Sequence, residues 1–138
     1  MNALDTLNNK NLMTHFKLVI QTGIENILEF PQRKDTLSNW GEENGQEYDL
    51  EMVRFNDKEV SLNCVIVADN DTEFWIAYHA FFSEITKPGW QELFIHDHSQ
   101  TYKVFYKKTA SFKKALKRLK NTEKVFVKFQ LSLQIKTP

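Results

Sequence analysis

The sequence predicts an α+β fold: a mostly antiparallel β-sandwich or partly open barrel of about seven strands, with one main α-helix (residues 71–87) packed against it. Three observations lead there. Apolar and polar residues alternate in several stretches. The clearest sets Val125, Val127, Phe129, Leu131, Leu133 and Ile135 against Lys128, Gln130, Ser132, Gln134 and Lys136. One stretch, Asp69 to Gly89, carries helix start and stop signals and has strand-like sequence on both sides. No strand–helix–strand repetition runs along the chain, which argues against a parallel sheet.

The helix is read from its ends. Asn70 can N-cap it, with Glu73 reaching back as in a capping box. Asp69, Asp71 and Glu73 crowd the end where the helix dipole favours negative charge. Phe74, Tyr78, Phe81, Phe82 and Ile85 recur at spacings of three and four, which is one helix face. Pro88 and Gly89 stop it. So many rings on one face are expected to cover a sheet rather than hold a cofactor.

The other elements follow in order. Residues 1–12 are polar, with paired asparagines, and are expected to be a flexible lead-in to a single domain over residues 13–138. A strand is expected from Met13 to Gln21, where Phe16, Leu18 and Ile20 alternate with Lys17 and Gln21, and another from Ile24 to Phe30. Pro31 to Gln46 reads as a long polar loop with Asn44–Gly45 as a tight-turn signal and Trp40 as its one large apolar residue. Compact domains rarely carry such a loop without a use for it. Tyr48 to Phe55 alternates again. Val60, Leu62, Cys64, Ile66 and Ala68 share one face of the next strand, and Val65 and Val67 thicken the other. After the helix, Trp90 to Ile95 is strand-like, His96 to Ser99 is a turn, and Tyr102, Val104 and Tyr106 mark a further strand. Ser111 to Lys120 is ambiguous, because Phe112, Ala115, Leu116 and Leu119 have helical spacing between two strands.

Composition bounds the function. A chain of 138 residues with 41% hydrophobic and 13% aromatic content can bury a core and is not a disordered composition. No apolar run approaches a membrane span, and the first residues lack the basic start and apolar stretch of a signal peptide. The single cysteine, Cys64, excludes an internal disulfide and fits a reducing compartment. Formal net charge is zero but unevenly spread. Met1 to Gln100 holds 7 Lys/Arg and 17 Asp/Glu, a charge of −10; Thr101 to Pro138 holds 11 Lys/Arg and one Glu, a charge of +10. Such a split points to opposed patches or a basic interaction segment.

No residue set declares a reaction. His96 and His98 flank Asp97, but two imidazoles without a third ligand fit a polar turn better than a metal site. Cys64 lies on an apolar strand face, where a nucleophile would lack exposure and a base. Glu42 and Glu43 are adjacent in the long loop, and nothing aims them at one substrate. There is no glycine-rich phosphate loop and no GxSxG, HExxH or CxxC pattern. Neither catalysis nor a cofactor is expected. Lys107, Lys108, Lys113, Lys114, Lys117, Arg118 and Lys120, with Tyr102, Phe105, Tyr106 and Phe112 among them, allow an alternative reading as a small nucleic-acid-binding domain. The acidic remainder of the chain opposes it. A ligand-binding or catalytic barrel would instead need a deep pocket containing His96 or His98.

The order of features resembles a known family. A polar loop, Arg33 to Leu37 and on to Trp40-Gly-Glu, leads into an acidic strand, Gly45-Gln-Glu-Tyr-Asp-Leu-Glu. An apolar strand from Glu59 to Ile66 and the acid-capped aromatic helix follow. Glu92-Leu-Phe-Ile-His-Asp then leads to Thr101-Tyr-Lys-Val-Phe-Tyr-Lys-Lys, and the chain closes on Val127-Lys-Phe-Gln-Leu-Ser-Leu-Gln. From about Phe16 to Lys136 this is similar to the core domain of phage distal tail proteins and the related tail-tube fold. The short C-terminus departs from distal tail proteins that carry a second domain.

The resemblance implies a non-enzymatic structural subunit of a phage or prophage tail that forms a ring of its own copies, a hexamer being the expected ring. It also implies contact with other tail proteins, and a place in the virion tail after assembly in the bacterial cytoplasm; neither nucleic acid nor membrane is the expected partner. In a head-to-tail ring each subunit offers one patch to a different patch of its neighbour. The expected acidic side is Trp40, Glu42, Glu43, Asp49 and Glu51, and the basic side Lys107, Lys108, Lys113, Lys114 and Lys117.

Overall fold

The computed structural model describes residues 4–34, 37–38, 47–48, 53–119 and 122–136. In chain order the strands are β1 (Thr6–Leu7), β2 (Lys10–Asn11), β3 (Leu18–Thr22), β4 (Leu37–Ser38), β5 (Glu47–Tyr48), β6 (Lys58–Ala68), β7 (Gln91–Ile95), β8 (Gln100–Leu119) and β9 (Thr122–Ile135). Helix α1 (Leu12–Phe16) precedes β3, and α2 (Asp71–Ile85) follows β6. Among the described residues, seven strands form one antiparallel sheet in the order β2-β1-β7-β8-β9-β6-β3, while β4 pairs only with β5. The predicted class, an open antiparallel sheet with one main helix, is the one observed.

Register explains the core. Leu62 lies opposite Leu131, Cys64 opposite Phe129 and Ile66 opposite Val127, so the alternating residues of β6 and β9 point the same way. All five predicted inward residues of β6 and all six of β9 are buried. Each large aliphatic side chain buried this way contributes roughly 1.5–3 kcal/mol before entropy is counted. Leu7 near one sheet edge and Ile20 at the other line the same small void with Leu12, Phe81 and Leu133. The sheet therefore curls around its core, and the helices close it.

Helix α2 starts as its sequence requires. Asn70 accepts from the Glu73 backbone N–H at 2.8 Å. Glu73 reaches back to Asp69 N–H at 3.4 Å and also takes a 2.7 Å bond from Lys17, whose ammonium holds this carboxyl below its ordinary range. Phe74, Phe81 and Ile85 are buried, with Tyr78 and Phe82 packed beside them. Phe82 meets Tyr106 and Phe129 on the sheet, at ring centroid distances of 6.1 and 5.9 Å. The aromatic stripe is core, as expected.

Three expectations need correction, and one open stretch is resolved. The lead-in is part of the sheet over its described residues: Asn8 and Asn9 take positive φ and turn β1 into β2, and Leu7 and Leu12 are buried. The strand expected from Met13 begins only at Leu18. Asn11 caps α1 by accepting from Thr14 N–H at 2.9 Å, and Leu12 and Phe16, four apart, both turn into the core. The strand expected from Ile24 to Phe30 is a 3₁₀ turn at Ile24–Leu28, entered through Gly23 at φ 105°, with only Ile27 buried. The ambiguous Ser111–Lys120 stretch is strand through Leu119, with an irregularity at Ser111 and Phe112 that lets Phe112 stack on Phe129 at 4.9 Å.

The long polar segment is paired at its base. Asn56 N–H donates to Gln32 C=O and Lys34 N–H to Arg54 C=O, each at 2.8 Å, and Leu37 and Ser38 face Tyr48 and Glu47 farther out. The Asn44–Gly45 turn and residues 49–52 of the expected Tyr48–Phe55 strand lie outside the described residues.

Candidate interaction surface

The two halves of the charge pattern partly meet within the chain. Lys114 lies opposite Val127 in the β8–β9 ladder, on the core side, and its Nζ is 2.7 Å from Asp71 Oδ1 at the start of α2. A second ion-pair group fixes the N-terminal strands to the helix. Glu84, 3% exposed, binds Lys10 of β2 at 2.5 Å and also pairs with Lys87. Those two ammonium groups, Lys10 first, pull the Glu84 carboxyl down to about 2 against the opposing effect of burial.

The expected basic residues divide. Lys108 is opposite Ser132 and Lys113 opposite Lys128, which puts them on the outer face of the ladder, and Lys117 pairs in register with Lys124. Lys107 falls at a ladder irregularity with its Nζ 5.8 Å from the Phe105 ring centre. Lys114 belongs to the inner face. The residues expected on the acidic side, Trp40, Glu42, Glu43, Asp49 and Glu51, all lie outside the described residues.

Exposed large apolar side chains add to the surface: of Trp75, Ile76, Trp90 and Phe105, only Phe105 is a candidate from the sequence. Trp90 and Phe105 meet edge to face at 5.2 Å, and beside them a shallow groove of about 420 Å³ runs past Lys87, Gly89 and Tyr106. Trp75 and Ile76 project from the outer side of α2, half or more exposed. Both sat inside segments read for core periodicity, and their outward phase was the available signal.

The histidine turn is structural in its contacts. His96 N–H donates to the buried Asp5 Oδ1 at 2.9 Å, and His98 Nδ1 lies 2.9 Å from Tyr102 Oη. Burial raises the Asp5 carboxyl above its ordinary value, opposed by the His96 bond. Among the described residues, no three His, Cys, Asp or Glu side chains gather as a metal site. Cys64 is 1% exposed, and burial drives its thiol far above the usual range, away from the reactive thiolate. No helix among the described residues is long and apolar enough to cross a membrane.

No protein-family model matches the chain, and no curated protein matches it. Among solved structures, the fold is similar to that of the Dit protein of phage SPP1, described as a paradigm of the hub adsorption apparatus in phages that infect Gram-positive bacteria. The likeness has a TM-score of 0.57 at 11% identity and covers 93% of this chain and 48% of that one. The chain thus spans about half the length of the protein it resembles, and what the two share is the fold.

Proposed function

We propose that the chain is a non-enzymatic structural subunit of a phage or prophage tail, which assembles with its own copies into a ring and contacts other tail proteins. The observation that carries this reading is the fold likeness to a phage hub protein over 93% of the chain. The charge split adds a physical reason. Closed rings need two different patches on each subunit, and complementary charge steers such patches together. Trp40, Glu42, Glu43, Asp49 and Glu51 form the acidic side, and Lys107, Lys108, Lys113 and Lys117 the basic side. Lys114 has a partner in Asp71 and contributes less. A ring of six, built in the bacterial cytoplasm and carried in the virion tail, is the assembly in view.

Light scattering on purified protein at low and high salt tests the reading. A multimer that dissociates as salt rises is expected, since salt screens exposed charge. A strict monomer at high concentration and low salt would count heavily against it. The alternative, a small nucleic-acid-binding domain, draws on the outward lysines of β8 and β9. It is favoured if a mobility-shift assay finds tight, salt-sensitive DNA binding by a monomer.

A further inference from the structure

In the β8–β9 ladder, lysine stands opposite lysine twice: Lys113 across from Lys128 on the outer face, and Lys117 across from Lys124. Like charges directly opposite each other destabilise a sheet. For Lys113 and Lys128, nothing among the described residues relieves the repulsion. Lys113, Lys124 and Lys128 are exposed, and none makes an ion pair there. Asp69, just past the end of β6, does not pair with Lys124 either. Beside Lys113 and Lys128 an open cleft of about 540 Å³ crosses the sheet. Thr22, Asn63 and Gln130 add neutral polar groups to it, and no carboxylate lines it.

We propose that this cleft receives the acidic segment 42–51 of a second copy of the chain. The inference rests on the self-assembly reading above and names its contact. Charge complementarity selects the occupant: Glu42, Glu43, Glu47, Asp49 and Glu51 put five carboxylates into ten residues with no Lys or Arg. Three other acidic groups are engaged within the subunit, Asp71 with Lys114, Glu73 with Lys17, and Glu84 with Lys10 and Lys87, and no other stretch of ten residues carries as many carboxylates. The self-assembly reading assigns the segment to another copy. The acidic segment springs from the paired base at Gln32 and Asn56, beside the Lys58 end of β6. Lys128 pairs with Val65, seven residues along that strand, or about 23 Å at roughly 3.3 Å per residue. The base from which the segment leaves the sheet and the lysine cleft are thus separate patches of the subunit, and a head-to-tail ring joins two different patches.

The test is light scattering at low salt on the wild type, a Lys113→Gln/Lys128→Gln variant and a Glu42→Lys/Glu43→Lys variant, with thermal unfolding to confirm that each folds. The wild type is expected to associate, and each variant to associate at least tenfold more weakly. Mixing a Lys113→Glu/Lys128→Glu protein with the Glu42→Lys/Glu43→Lys protein is expected to restore a complex. If the lysine variant associates like the wild type, the cleft contact is wrong while self-assembly stands. If the wild type itself stays monomeric, both fail. If the lysine changes abolish binding of a labelled DNA duplex and leave self-association unchanged, the face belongs to nucleic acid and the inference is overturned.

Discussion

The ammonium of Lys114 lies 2.7 Å from the carboxylate of Asp71, tying the basic strand β8 to the acidic first turn of α2. One of the densest basic positions in the sequence is therefore used inside the subunit. Both partners are about half exposed, so the pair contributes little, roughly 0.5 kcal/mol. Lys114→Ala is expected to lower the melting temperature by only a few degrees and to leave self-association near that of the wild type. A large loss of association would return Lys114 to the assembly surface.

Glu84 carries more weight. It is buried, and it joins β2 to the end of α2 through Lys10 and Lys87. Its folded carboxyl value, about 2, lies below the ordinary 4.5. Its contribution is then present above pH 4.5 and lost as pH falls towards 2. Glu84→Gln is expected to cost about 1–2 kcal/mol at neutral pH, discounted because both lysines reach solvent. Denaturant melts across this range are expected to show the two proteins converging in acid. A gap that persists at pH 2 would mean the carboxylate charge is not what matters.

Asp5 behaves in the opposite way. Its folded carboxyl value is raised by burial, so what it adds to stability is full below 3.8 and is lost as pH climbs through that higher value. Asn at this position keeps an oxygen to accept from His96 N–H and removes the buried charge. Asp5→Asn is expected to match or exceed wild-type stability at neutral pH, with the difference vanishing in acid. A clear loss in calorimetry at neutral pH would show that the charge itself is needed.

The two described glycines with positive φ separate strain from space. A Cβ on Gly23 would lie 2.7 Å from Ser61 O and 3.2 Å from Leu62 Cα, both backbone atoms, at φ 105°. One on Gly89 would meet nothing within 4 Å. Gly23→Ala is expected to cost about 2–4 kcal/mol and Gly89→Ala about 1 kcal/mol. Equal losses in urea melts would mean that the approach of Gly23 to β6 is not a tight constraint.

Much of this was legible in the sequence because two periods dominate it. The alternation in β6 and β9 and the three-to-four spacing in α2 each fixed a face, and the faces meet in the core. The misreadings came where a short local signal outweighed alternation. Asn11 could be seen as a cap and Asn8–Asn9 as a tight turn, but both lay in polar sequence read as a tail. Gly23 broke the apparent strand at Ile24. The surface was harder to read. Lys113 and Lys114 are neighbours in sequence, and only the irregularity at Ser111–Phe112 decides which faces outward. That Lys128 stands opposite Lys113 depends on register, which a residue pattern does not carry.

Electron microscopy of concentrated protein at low salt shows whether the subunits close into rings. Closed rings with a central opening, one subunit thick, that disperse when salt is raised are expected. Isolated subunits under those conditions, or open filaments in place of rings, would contradict self-assembly into a ring.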